Sequence, residues 1–89
     1  MIKGYEFQVQ VAIPLEIWRQ FLSCADPTEI ARRELQRQTL ICAGRGQVEL
    51  DPLWSVTQVT RELQTNPFGG PEIVLVRGLV LGARKPCQR

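Results

Sequence analysis

The stretch Ile73-Val74-Leu75-Val76-Arg77-Gly78-Leu79-Val80-Leu81 decides how the rest of the chain has to fold. Seven of its nine residues are Val, Leu or Ile, interrupted by Arg77 and Gly78. The run, from Glu72 to Ala83, reads as a strand whose two faces are both apolar. Gly78 marks a bulge or a close backbone approach. Such a strand must lie in the middle of a sheet with both faces covered, or be covered by another chain. Burying one Val, Leu or Ile contributes about 1.5–3 kcal/mol. If helices cover one face only, about three or four of these side chains meet water. That forfeits roughly 5–10 kcal/mol, comparable to the whole stability of a small domain. A second chain is the expected cover, and a sheet curling over its own second face is the alternative. Left bare, the strand is a self-association hazard, against which Arg77 and the basic tail act as gatekeepers.

Working back towards the amino terminus, Asn66-Pro67-Phe68-Gly69-Gly70-Pro71 is a loop dense in turn formers, with Phe68 at its tip a candidate partner contact or, alternatively, a ring tucked onto the core. Leu53 to Thr65 has two readings. Leu53, Val56, Val59 and Leu63 fit a helix face opened by Asp51-Pro52, whereas the β-branched Val56, Thr57, Val59 and Thr60 suit a strand, which is the favoured reading. Val48 and Leu50 alternate with Gln47 and Glu49 as in a strand, and Gly44-Arg45-Gly46 is a turn without the further glycines and Lys-Ser/Thr of a phosphate loop. Thr39 to Ala43 either continue the preceding helix to a cap at Gly44 or form a further strand.

That preceding helix opens at Asp26-Pro27-Thr28-Glu29, with Asp26 as N-cap, Pro27 in the first position and Glu29 at the capping-box position. Ile30, Ala31 and Leu35 share one side; Arg32, Arg33, Gln36 and Arg37 face away, with Glu29–Arg33 and Glu34–Arg37 as helical ion pairs. An earlier amphipathic helix, roughly 15 to 23, carries Leu15, Trp18, Phe21 and Leu22 at helical spacing after Pro14. Before it, Tyr5, Phe7, Val9, Val11 and Ile13 alternate with Glu6, Gln8, Gln10 and Ala12, a strand with one buried and one wet face. The run Val11-Ala12-Ile13-Pro14-Leu15-Glu16-Ile17-Trp18 resembles the opening of helix-grip lipid-binding domains, where a strand passes through proline into a helix bearing tryptophan. The resemblance covers about a tenth of the chain and implies a lipid or small-molecule carrier. Those domains are longer, however, and close with a long C-terminal helix that these residues do not supply.

The expected fold class is α+β: an N-terminal strand, two short helices, then a mostly antiparallel sheet with the helices on one face. At 89 residues and 10.1 kDa the chain supports one domain, read as residues 1–83 with a flexible basic tail at 84–89. There is no histidine, which removes most Ser/His, Cys/His and His-metal chemistry. Cys24, Cys42 and Cys87 have no C-x-x-C spacing and are read as reduced, two buried and structural, one loose in the tail, with no metal site and no cofactor. Neither a signal peptide nor a membrane span is legible, so the expected location is cytoplasmic.

The net charge of +2 divides unevenly: residues 32–45 carry +3, residues 77–89 carry +4, and the remainder −5. Three function classes follow. The favoured one is a small non-catalytic protein–protein interaction, assembly or regulatory module, a homo-oligomer or small subunit, binding its protein partner through Phe68, Val74, Val76 and Val80. The alternative is a nucleic-acid binder using Arg32, Arg33, Arg37, Arg45, Arg84 and Lys85 on phosphates. An enzyme is disfavoured: Ser23, Cys24 and Asp26 lie together, but no general base, catalytic residue or small-molecule substrate site can be named.

Overall fold

The strand formed by the two-sided apolar run is the middle strand of the sheet. The computed structural model of the chain describes residues 7–65 and 67–85. Its elements run β1 (Phe7–Pro14), α1 (Leu15–Leu22), α2 (Pro27–Gly44), β2 (Glu49–Gln64) and β3 (Ile73–Arg84). The three strands make one antiparallel sheet in the order β1-β3-β2, with Val11 opposite Val76 on one side and Val56 opposite Val80 on the other. Both helices belong to one face, which gives the expected α+β arrangement.

Alternation assigns the side chains. Val9 and Ile13 of β1, Val56 of β2, and Val74, Val76, Val80 and Ala83 of β3 form one buried cluster with Trp18 of α1 and Ile30, Ala31, Leu35 and Cys42 of α2. Gly78 lies under α2. A Cβ there would stand 2.8 Å from Leu35 Cδ1 and 2.8 Å from Val56 Cγ1, so the missing side chain is what lets the helix seat. Both expected uses of Gly78 are met, because β2 also shifts register opposite it, between Thr57 and Thr60.

Local signals set the helix ends. Asp26 caps α2, its carboxylate accepting from the backbone N–H of Thr28 at 3.0 Å and of Glu29 at 3.4 Å, with Pro27 in the first turn. Residues 39–43 continue the helix. It closes one turn beyond Gly44, where the Gly46 N–H donates to the Ala43 carbonyl and the Gln47 N–H to that of Cys42, with Gly46 at φ 75°. Buried Thr39 bonds back to the Leu35 carbonyl at 2.7 Å, leaving no unsatisfied hydroxyl in the core. The stripe of α1 is only partly used: Trp18 is buried, but Phe21 and Leu22 remain exposed.

Asp51-Pro52 does not end a strand, because β2 runs from Glu49 to Gln64 with an excursion between Leu50 and Ser55. Gly82, at φ 81°, allows Trp54 to approach, and Arg84 pins the excursion through Asp51 at 3.0 Å. Of the basic tail, Arg84 therefore belongs to β3 and residues 86–89 lie outside the described residues, as does Cys87. Cys42 is buried as expected; Cys24 is exposed, because it falls in the turn after α1 and not on a helix face. No helix among the described residues is long and apolar enough to cross a membrane.

Replacing Gly78 by Ala should cost about 1–3 kcal/mol through overpacking against Leu35 and Val56. Gly44→Ala, where a Cβ meets nothing within 4 Å, should be neutral or mildly stabilising. Urea unfolding of the two variants measures the difference.

Candidate functional site

The face of the sheet turned away from α2 carries the residues that the core does not use. Its rows follow from the register: Gln8–Leu79–Thr57, then Gln10–Arg77–Thr60, then Ala12–Leu75–Glu62, then Pro14–Ile73–Gln64. Down the middle runs β3 with Leu81, Leu79, Arg77, Leu75 and Ile73, flanked by amides, hydroxyls and one carboxylate. This is an apolar line with a polar rim, interrupted at its centre by a guanidinium.

Water reaches this line less than alternation alone implies. Leu81 is 52% exposed, Ile73 and Leu79 are half-buried, and Leu75 falls to 9% although it stands outside the core cluster. In a paired sheet the middle strand has side-chain neighbours on both sides, and Leu75 stands between Ala12 and Glu62. The run from Ile73 to Leu81 is therefore sheltered on the helix side and only partly on the other.

At the centre of the open face lies a concavity of about 750 Å3 lined by Gln8, Val9, Gln10, Gln58, Thr60, Arg77, Gly78 and Leu79. Its shape comes from the irregularity in β2. Opposite the single residue Gly78, β2 spends two, Gln58 and Val59, and Gln58 adopts φ 54°. A bulge bends its strand and re-aims its side chains. Here it sends Val59 to the core and Gln58 to the groove. A left-handed glutamine costs roughly 1–2 kcal/mol, strain of the kind that collects at functional positions. Among the described residues Arg77 is the one cation of the lining, and none of them is an acid. Among the described residues no carboxylate lies within ion-pair distance of it.

The residues singled out by sequence are distributed differently. Val74, Val76 and Val80 are not on the open face: they point to α2 and are buried in the chain's own core, because the parity of β3 is fixed by Gly78 beneath Leu35. The residues between them, Ile73, Leu75, Leu79 and Leu81, take the open face instead. Phe68 stands 95% exposed in the β2–β3 turn and does not tuck onto the core. Of the arginines proposed for phosphate contact, Arg32 and Arg33 share a shallow depression on α2 with Asp26 and Glu29, and Arg37, Arg45 and Arg84 are not in its lining. Arg33 pairs with Glu29 at 2.8 Å, Arg37 with Glu34 at 3.8 Å and Arg84 with Asp51 at 3.0 Å. Arg32 lies on the exposed flank of α2, Arg45 caps its carboxyl end, and Lys85 follows β3. Sequence reading passed over Gln8, Gln10, Gln58 and Thr60, since nothing in their spacing separates a groove from an ordinary wet strand face.

No protein-family model, curated protein or solved structure matches this chain. The residues of the open face are the basis for a functional reading.

Gln58→Gly should remove the left-handed strain and stabilise the fold by up to about 1 kcal/mol, the gain being offset in part by glycine's backbone entropy. Thermal unfolding monitored by circular dichroism measures it, and a loss of stability would mean that the Gln58 side chain contributes more than its backbone costs.

Proposed function

We propose that the chain is a non-catalytic protein-docking module whose open sheet face receives a partner protein. The observation that carries this reading is the one-sided cover of β3: its residues are apolar on both faces, yet α1 and α2 lie on one face only. Leu81 is exposed and Leu79 half-buried on that open face, and Leu63 adds exposed apolar surface at the far end of the β2–β3 hairpin. Exposed apolar surface with a polar rim is the anatomy of an interface. Among the described residues no further strand pairs with the outer side of β1 or β2.

The nucleic-acid reading is weaker on this geometry. Phosphate binding needs several free cations on one face. Three of the six candidates are engaged by carboxylates of their own chain, and none of the six lines the groove.

The test is selection of a random-peptide phage library on the immobilised protein. The expected result is binders that are lost with Leu79→Glu or Leu81→Glu and kept with Arg32→Gln plus Arg37→Gln. Circular dichroism of each variant checks that the fold is intact. Binders indifferent to both leucine substitutions, or no binders at all, would overturn the reading.

A further inference from the structure

Resting on that docking reading, we infer that the Arg77 groove is the anchor for a carboxylate: the segment that docks there is an extended acidic stretch of the partner protein, one of whose Glu or Asp side chains meets the Arg77 guanidinium. Three observations converge on this one place. The first is charge. Arg77 sits in the middle of an otherwise apolar line, and among the described residues the lining holds no acid and the one carboxylate in the paired rows of the face, Glu62, is one row away without pairing to it. A guanidinium is a rigid fork of donors that fits a carboxylate in two parallel hydrogen bonds, and partial exclusion of water by Leu79 beside it strengthens such a pair.

The second observation is the hydrogen-bonding set around it. Gln8, Gln10, Gln58 and Thr60 surround Arg77 with amides and a hydroxyl, groups that both donate and accept. They match the alternating N–H and C=O of an extended backbone. They do not match a purely apolar helix face. The third is shape. The bulge at Gln58 lies at a concavity of about 750 Å3 on the surface of the sheet, in the size range of ligand sites but open to solvent, so it can admit a segment of chain.

Other occupants fit less well. A second copy of this chain would bring the same concave face. A twofold axis running along the strands at β3 would set one Arg77 against the other, leaving Glu62, among the described residues, as the carboxylate on the face to answer it. Among the described residues of the lining a nucleic acid would find one cation and no aromatic ring on which to stack a base.

Fluorescein-labelled peptides of about ten residues, alternating threonine with glutamate, glutamine or lysine, are titrated with the full chain at roughly 0.15 M salt and followed by anisotropy. The threonine–glutamate peptide should bind, and the other two should bind at least about tenfold more weakly. Arg77→Gln should weaken the threonine–glutamate peptide by about tenfold or more. Arg77→Lys, which keeps the charge and loses the fork, should fall between. Because Arg77 is exposed, both variants should melt with the wild type, separating lost binding from lost folding. Equal affinity for the three peptides would overturn the inference. So would no binding of the glutamate peptide up to about 1 mM. A single-stranded oligonucleotide that displaces the peptide, or a dimer seen by light scattering that Leu81→Glu dissociates, would assign the face to another occupant and overturn it as well. Library binders that need Leu79 but ignore Arg77→Gln would leave the docking module standing and remove only its acidic partner.

Discussion

Leu35 resting over Gly78 is the contact on which the rest of the molecule depends. One missing side chain on the middle strand lets α2 come down onto the sheet, with Leu35 Cδ1 and Val56 Cγ1 occupying the space a Cβ would need. Because strand side chains alternate, seating the helix on Gly78 also commits Val74, Val76 and Val80 to the interior. The same commitment turns Arg77 and Leu79 outward. The strand β2 answers with its bulge directly opposite, so the groove on one face and the helix contact on the other are consequences of the same glycine.

Lengths then determine what stays uncovered. Eighteen residues of α2 rise about 27 Å, while twelve residues of β3 extend about 40 Å, and β2 is longer still. A helix of that length laid on such a hairpin leaves ends overhanging. They are visible as Leu53, 93% exposed at one end, and Leu63 and Phe68 at the other. These overhanging ends are places where the apolar surplus of the sequence appears as surface.

The elements themselves were largely legible, since alternation in β1, the Asp26-Pro27 start of α2 and the apolar run of β3 each carry one period and one boundary. The ambiguity over residues 53–65 has a specific cause. Val56 and Val59 are three apart, a helical spacing, yet both reach the core from a strand, because the extra residue at the bulge shifts the parity by one. A bulge thus writes a helix-like interval into a β-sequence, and only the pairing with Gly78 tells the two apart. The face assignment of β3 was hidden for the opposite reason: when both faces are apolar, the pattern holds no parity signal, and Val74, Val76 and Val80 looked as available as Leu75 and Leu79. The groove was illegible because Gln8, Gln10, Gln58 and Thr60 come from two edge strands that meet only across β3.

On the docking reading proposed above, the position of Arg77 would join protection to recognition. An uninterrupted line from Ile73 to Leu81 on an open face would stack against any apolar surface, including other copies of itself. A guanidinium at its midpoint penalises every such contact, since covering it without a partner leaves a desolvated charge. The penalty disappears only for a surface that brings a carboxylate to the same spot. A single residue can therefore discourage indiscriminate association and, by the same energetics, select among partners. Specificity of this kind needs repulsion of the wrong surface as much as attraction of the right one. The neutral amides around Arg77 serve it by supplying hydrogen bonds without cancelling the charge. An acidic residue in place of Gln10 or Thr60 would pair with Arg77 within the chain and silence both effects.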